Sequence, residues 1–167
     1  PWDVCISDHC LRKFRAWLKA QYGTLDNLNA EWDCSFASWD KVVPMTQTDI
    51  IGRASAAPWA DHREFMDGVF QNFCLAHQRR VKSKYPDAKV GPTGVGQEPS
   101  AYGGNWNFRN MSALGTASMY GPDEGRFACS FDRNKRLVTR YRGYSYTPAV
   151  TVKSFWEGLF VGQRALN

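Results

Sequence analysis

Several features that would define a function class are missing from this sequence of 167 residues. No run approaches the roughly 18 apolar residues that a membrane helix needs, so we predict no membrane partner. With only three histidines and no Gly-x-Ser-x-Gly motif, a hydrolase of the Ser-His-Asp type has little support. The Gly-x-x-Gly-x-Gly pattern at residues 91–96 lacks the spacing of a dinucleotide-binding loop. These absences argue against membrane proteins, serine-type hydrolases and nucleotide-binding enzymes.

The cysteine content gives no disulfide framework. There are five cysteines, an odd number, and they lack the spacing of a small disulfide-bonded domain. Reduced and partly buried thiols are therefore expected. Unpaired thiols favour a cytoplasmic location, and nothing else in the sequence identifies the compartment.

The positive charge does not by itself predict a nucleic-acid partner. The net charge is +5 and the isoelectric point is near 9.1, but lysine and arginine are scattered among acidic residues. Only residues 133–142 concentrate positive charge. A patch of this kind is a non-specific feature, so we predict no nucleic-acid partner and keep a basic interaction domain as a minor alternative.

The composition is that of a globular protein with many aromatic residues. Hydrophobic residues make up 43% and the mean hydropathy is −0.49. Aromatic residues make up 14%, which suits a core but also a sugar-binding cleft, where pyranose rings stack on flat side chains. Because the chain opens at Pro1 rather than Met and ends within an apolar run, we expect a piece of a longer protein.

Residues 8–32 predict two consecutive helices. Ser7 stands where an N-cap belongs, and apolar residues then recur at spacings of three and four. Gly23 is placed to end the first helix, and Thr24 is placed to cap the second. The members of the apolar stripe are Leu11, Phe14, Trp17, Leu18 and Tyr22.

The remainder alternates between helix and strand patterns. A loop is expected over residues 33–57 and a long helix over 59–84, in which His77 is predicted to be buried and His62 exposed. Strands are expected at 88–95, 113–120 and 136–144, and a helix at 150–163 with Phe155, Trp156, Leu159 and Phe160 facing inward. Strands joined through helices favour a parallel sheet, so the fold class is α/β.

The sequence motifs of residues 5–39 resemble those of a known family. Cys-x4-Cys is followed by Phe-Arg-x-Trp-Leu, then by Tyr-Gly-Thr-Leu-x-x-Leu-Asn-x-x-Trp and Phe-x-x-Trp. This set of motifs resembles that of the family 42 β-galactosidases and related (β/α)8-barrel glycosidases. The resemblance implies that residues 1–167 are a single, incomplete segment of a TIM-barrel glycosidase domain, from about the fourth helix to the seventh helix. Functional loops of such barrels follow the C-terminal ends of the strands.

The resemblance also implies where substrate would bind. Three loops follow predicted strands or precede the last helix, at 96–106, 121–127 and 144–149. The candidate substrate-binding residues are Tyr120, Trp106, Tyr102, Glu98, Asp123 and Glu124. Of these, Tyr120 is expected at the end of the sixth barrel strand, beside the nucleophile. The catalytic residues remain unidentified: the acid/base Glu would precede Pro1, and residues 139–144, where the nucleophile is expected, contain no carboxylate.

A structural zinc is a further implication of the resemblance. The family often holds zinc with four cysteines, three of them in a Cys-x-Cys-x-x-Cys cluster. Here Cys5 and Cys10 match the first and third cysteines, but Ser7 replaces the second. His9 or Cys34 would have to complete four donors. We therefore predict no cofactor, and the zinc site stays an alternative.

Together these observations predict a β-galactosidase-like glycoside hydrolase that acts on a β-linked sugar with retention. The expected partners are a carbohydrate substrate and the remainder of the same barrel, and a homo-oligomer is left open. Because the expected nucleophile position lacks a carboxylate, the alternative is a catalytically inactive carbohydrate-binding barrel. The segment alone would leave open sheet edges, so we expect it to be poorly soluble and inactive in isolation.

Overall fold

A computed structural model of the chain describes residues 5–91, 93–95, 116–119, 129, 137–140 and 147–166. The chain divides into two compact units, Pro1–Val69 and Phe70–Asn167. The helices are α1 (Asp8–Tyr22), α2 (Leu25–Trp32), α3 (Ala57–Lys82) and α4 (Pro148–Phe160), with a 3-10 turn at Trp39–Lys41. The strands are β1 (Thr93–Val95), β2 (Thr116–Met119), β3 (Leu137–Arg140) and β4 (Ala165–Leu166).

The predicted starts and stops of α1 and α2 are confirmed. The Ser7 side chain accepts a hydrogen bond from the Cys10 backbone N–H, and Thr24 accepts one from Asn27. Gly23 ends α1 with a positive φ of 72°, a conformation that residues with a Cβ avoid. Local cap chemistry therefore sets both helices.

The core of the first unit is built around Phe14. Its ring lies 6.2 Å from the Trp32 ring, 5.3 Å from that of Phe65 and 5.2 Å from that of His62. The predicted apolar stripe of α1 is confirmed, since Phe14 and Leu18 are buried and the other members are half-buried. The largest fully buried side chains among the described residues are Phe14, Leu18, Leu28, Trp32, Val42 and Pro58.

One carboxylate joins the three helices of this unit. Asp61 accepts hydrogen bonds at the same oxygen, Oδ2, from the Tyr22 hydroxyl at 2.6 Å and from the Trp32 indole N–H at 2.7 Å. Tyr22 ends α1 and Trp32 ends α2, while Asp61 lies in the second turn of α3. The contact therefore fixes the ends of both short helices on the long one.

The predictions for the two histidines of α3 were wrong. His62 is buried, at 2% exposure, whereas His77 is exposed and its ring contacts the ring of Phe73. The cause is that the inward face of α3 is buried at its N-terminal end, where Phe65 packs on Phe14, but not further along. Val69 and Phe73 are 41% and 60% exposed.

The second unit contains an all-parallel sheet. Its strands are hydrogen-bonded in the order β1-β2-β3-β4, with all three neighbouring pairs parallel. The parallel sheet was predicted, but β4 was not. Among the described residues, the strand predicted at 88–95 is reduced to Thr93–Val95.

The predicted inward face of α4 was also wrong. Phe155, Trp156, Leu159 and Phe160 are 40%, 54%, 40% and 84% exposed. The buried residues of α4 are instead Ser154 and Gly158. Small residues let a helix approach its neighbours closely, and a Cβ at Gly158 would lie 2.7 Å from Gln163 Oε1. The helix is thus apolar on a flank that the described chain does not cover.

None of the helices that the structure describes has the length and apolar character required to cross a bilayer.

We expect Asp61→Ala to destabilise the protein. The substitution removes the acceptor of two hydrogen bonds, one from the fully buried Trp32, and unsatisfied donors of this kind cost about 2–3 kcal/mol. Chemical denaturation would measure the loss. Glu64→Ala, an exposed position on the same helix, is the control and should leave the free energy of unfolding within about 0.5 kcal/mol. Equal effects of the two substitutions would contradict the role of Asp61.

We expect Tyr22 to make stability fall at alkaline pH. Burial, followed by the hydrogen bond to Asp61, raises the pKa of Tyr22 well above its ordinary value of 10.0. The folded state therefore holds a proton that the unfolded state releases, and this contribution is complete below pH 10.0 and is lost as the pH rises towards the folded pKa. Denaturation curves of the protein and of Tyr22→Phe above that pH would test it. The variant should lose less stability over this range, and parallel losses would contradict the assignment.

Candidate active site

The C-terminal edge of the parallel sheet is the candidate active site. All four strands run in the same direction, so their C-terminal ends meet at one edge. The register places the last residues in one row: Val95, Met119, Arg140 and Leu166. The preceding row is Thr93, Ser118, Thr139 and Ala165, with a register shift in β1 between Thr93 and Val95.

The strand residues at this edge carry no negative charge. The described strands contain no Asp or Glu, and Arg140 is their one charged residue. Thr139, one position earlier, is buried at 8% exposure. A carboxylate that acts at this edge must therefore come from a loop or from another part of the barrel.

The structure tests none of the predicted substrate-binding residues. Tyr102, Trp106, Tyr120, Glu98, Asp123 and Glu124 all lie outside the described residues, as do the loops at 96–106 and 121–127. The described part of β2 ends at Met119, so Tyr120 is the next residue in the sequence after the candidate edge. Of residues 144–149, only 147–149 are described, and Thr147 caps α4 by accepting a hydrogen bond from the Val150 N–H.

The strand β4 adds a fourth strand end that sequence reasoning missed. It lies in the apolar run from Leu159 to Leu166, which was predicted to be helical as far as Gln163 and was given no strand. The break is at Gly162, whose φ of 96° ends the helical path, and Gln163 is buried immediately after it. A glycine within an apolar run was the available signal.

The structure places the two candidate metal ligands together. Cys5 Sγ lies 3.1 Å from the Ser7 hydroxyl, and the Ser7 hydroxyl accepts a hydrogen bond from the Cys10 backbone N–H at 3.4 Å. A hydrogen bond from the Cys10 thiol, assisted by one from Ser7, lowers the pKa of Cys5. The same bond raises the pKa of Cys10, because it favours the protonated thiol of the donor.

The other two candidate donors are engaged elsewhere. His9 Nδ1 lies 3.5 Å from a guanidinium nitrogen of Arg12. Cys34 donates to the Trp32 carbonyl at 3.4 Å and lies 3.5 Å from Arg53 Nη2. Within the described part of the chain, no group of three or more His, Cys, Asp or Glu residues could hold a metal ion. Two thiols and a hydroxyl do not make the four-donor set of a structural zinc.

The comparison with known families decides the classification. The sequence model of glycoside hydrolase family 42, described as beta-galactosidase, matches residues 2–115. The chain belongs to glycoside hydrolase family 42.

Curated relatives of this chain are longer than the chain itself. Beta-galactosidase LacZ of Heyndrickxia coagulans is 28% identical over 107 residues, which are 61% of this chain and 16% of that protein. Beta-galactosidase BgaA of Clostridium cellulovorans is 42% identical over 43 residues, which are 23% of this chain and 6% of that protein. The chain thus corresponds to a minor part of the length of these relatives.

A solved structure supports the fold. The catalytic domain of beta-amylase from Paenibacillus polymyxa is similar with a TM-score of 0.69 and 12% sequence identity, over 96% of this chain and 48% of that chain. With the family match and the parallel sheet, this likeness confirms the predicted fold class, part of a (β/α)8 TIM barrel.

Proposed function

We propose that the full-length protein is a β-galactosidase-like glycoside hydrolase that cleaves a β-linked sugar with retention of configuration. The observation that carries this proposal is the family 42 match, which covers residues 2–115. The all-parallel sheet adds the matching architecture, because barrel enzymes bind substrate at the C-terminal edge of the strands.

The proposed chemistry needs two carboxylates. In a retaining enzyme they lie about 5–5.5 Å apart, and one protonates the leaving group while the other attacks the sugar. We assign the acid/base Glu to a part of the protein outside this chain. From this chain, Tyr120 would donate a hydrogen bond to a carboxylate, and Trp106 and Tyr102 would stack on sugar rings. Glu98, Asp123 and Glu124 would contact sugar hydroxyls.

The end of β3 favours a second candidate function. The nucleophile was expected near Arg140, but Leu137–Arg140 contains no carboxylate and ends on a cation. A family 42 barrel without that carboxylate would bind carbohydrate and not hydrolyse it by the usual route. This inactive carbohydrate-binding barrel is the alternative that the experiment must separate.

We also propose that the remainder of the barrel covers the open flank of α4. Trp156 and Phe160 are 54% and 84% exposed, although large aromatic side chains normally contribute to a core. Among the described strands, β1 and β4 are each paired on one side only. Open edges and apolar faces of this kind are closed in a complete barrel. The length of the relatives leaves ample chain to supply the cover, since the match spans only 16% of LacZ.

We expect the full-length protein to hydrolyse an aryl β-galactoside and to release the β-anomer first. Release of the aryl group would measure turnover, and proton NMR would identify the first-formed anomer. Tyr120→Phe should lower kcat/KM roughly ten- to a hundredfold, since a hydrogen bond to a charged group is worth about 1.5–3 kcal/mol. The control is Tyr85→Phe, at a tyrosine that is 67% exposed, and it should have no effect.

Each outcome of this experiment distinguishes the candidates. Turnover with release of the α-anomer would contradict the retaining mechanism but not the hydrolase. Binding of galactosides without turnover, measured by calorimetry, would favour the inactive barrel. If the protein neither binds nor hydrolyses galactosides, both candidate functions are contradicted.

We expect Trp156→Ala to destabilise the full-length protein by about 3–5 kcal/mol if the barrel covers this flank of α4, because truncation of a buried Trp leaves a cavity. Chemical denaturation would measure the change. Lys153→Ala on the same helix is the control: its side chain is 76% exposed, and its ion pair with Glu157 is of a kind worth about 0–1 kcal/mol. A Trp156→Ala effect as small as that of the control would show that this flank stays open.

A further inference from the structure

The segment before α1 is joined to the rest of the first unit by a small set of hydrogen bonds centred on Ser7. The hydroxyl of Ser7 caps α1 through the Cys10 backbone N–H at 3.4 Å and also lies 3.1 Å from Cys5 Sγ. Ser7 has the extended backbone of an N-cap, with φ −63° and ψ 157°. One side chain therefore connects both cysteines of the Cys-x4-Cys pattern.

A second contact ties the same segment to α3. The carbonyl of Cys5 lies 3.4 Å from His62 Nε2. His62 is 2% exposed, and its ring packs edge-to-face with that of Phe14 at a centroid distance of 5.2 Å. The backbone at Cys5 is thus held from the buried side of the unit, while Ser7 holds it from the side of α1.

The resemblance to family 42 implies that a zinc ion would organise this region, but the donors do not fit. Zinc in structural sites is bound by four thiolate, imidazole or carboxylate groups, and a neutral hydroxyl is not among its usual ligands. Ser7 supplies such a hydroxyl at the position of the middle cysteine. The hydroxyl is already engaged with Cys5 and Cys10. His9 contacts Arg12, and Cys34 donates a hydrogen bond to the Trp32 carbonyl.

We propose that Ser7 makes this junction independent of metal: its hydroxyl and the contact of His62 with the Cys5 carbonyl hold the segment before α1, and the folded protein has no structural zinc. The Ser7 hydroxyl holds the segment to α1, and the His62 contact holds it to α3. In this arrangement Cys5 and Cys10 remain free thiols.

The test uses the full-length protein, purified without metal-affinity resin and supplied with zinc during expression. Zinc content is measured by mass spectrometry of the elements, and thermal unfolding is followed with and without EDTA. We expect substoichiometric zinc and the same unfolding midpoint under both conditions. One zinc per chain together with a midpoint that EDTA lowers would overturn the proposal.

Two variants of Ser7 test its role separately. Ser7→Ala should lower the unfolding midpoint, because the cap and the contact with Cys5 are both lost, and an unchanged midpoint would overturn the role of Ser7. Ser7→Cys should gain one zinc per chain and an unfolding midpoint that EDTA lowers, since three thiolates would then be close together and His9 or Cys34 would supply the fourth donor in place of its present contact.

A matched control excludes a general effect of an added thiol. Ala20→Cys places a new cysteine at an exposed position further along α1, and it should gain no zinc. If Ser7→Cys binds no more zinc than Ala20→Cys, the missing thiolate at position 7 is not what excludes the metal, and the proposal fails.

Discussion

The arrangement of the first unit depends on a single carboxylate oxygen. Asp61 Oδ2 receives the Tyr22 hydroxyl and the Trp32 indole N–H at 2.6 and 2.7 Å, and these two donors are the last residues of α1 and α2. A buried indole N–H requires an acceptor, and Trp32 has no exposed surface. The ends of both short helices are therefore placed relative to α3 by hydrogen bonds with a defined direction. Apolar contacts around Phe14 have no such direction, so they fill the space that these bonds define.

The sequence predicted those parts of this unit that depend on neighbouring residues. The caps at Ser7 and Thr24 and the positive φ at Gly23 follow from chemistry within three or four positions, and all are confirmed. The sequence did not predict which of the two histidines of α3 is buried. His62 lies at the N-terminal end of α3, where Phe65 packs on Phe14, whereas His77 lies towards the C-terminal end beside Phe73, which is 60% exposed. Which end of a long helix is covered depends on residues that are distant in the sequence.

A similar argument explains why the predicted buried face of α4 was wrong. Its large apolar side chains lie on one flank and its buried residues on another, so the hydrophobic stripe does not identify the buried flank. The structure buries Ser154 and Gly158, and Gly158 lacks a side chain where Gln163 Oε1 approaches. Gln163 is buried because the chain turns at Gly162 and enters β4. The choice of flank thus depends on a strand that pattern reasoning did not identify.

The position of the candidate site could be predicted more fully from the sequence than its chemistry could. Parallel strands bring their C-terminal ends to one edge, which follows from the α/β alternation, and the register of Met119, Arg140 and Leu166 confirms it. Which groups act there depends on loops that follow different strands and on the rest of the barrel, and no local pattern encodes their juxtaposition.

Electrostatics narrows the choice of groups that could act at this edge. The transition state of glycoside cleavage carries positive charge on the sugar, so it needs a nearby anion. Because β3 ends in Arg140 with no carboxylate, hydrolysis by this barrel would require an anion from another strand end. Within this chain, the carboxylates that follow β1 and β2 in the sequence are Glu98, Asp123 and Glu124, which we propose as sugar-binding groups.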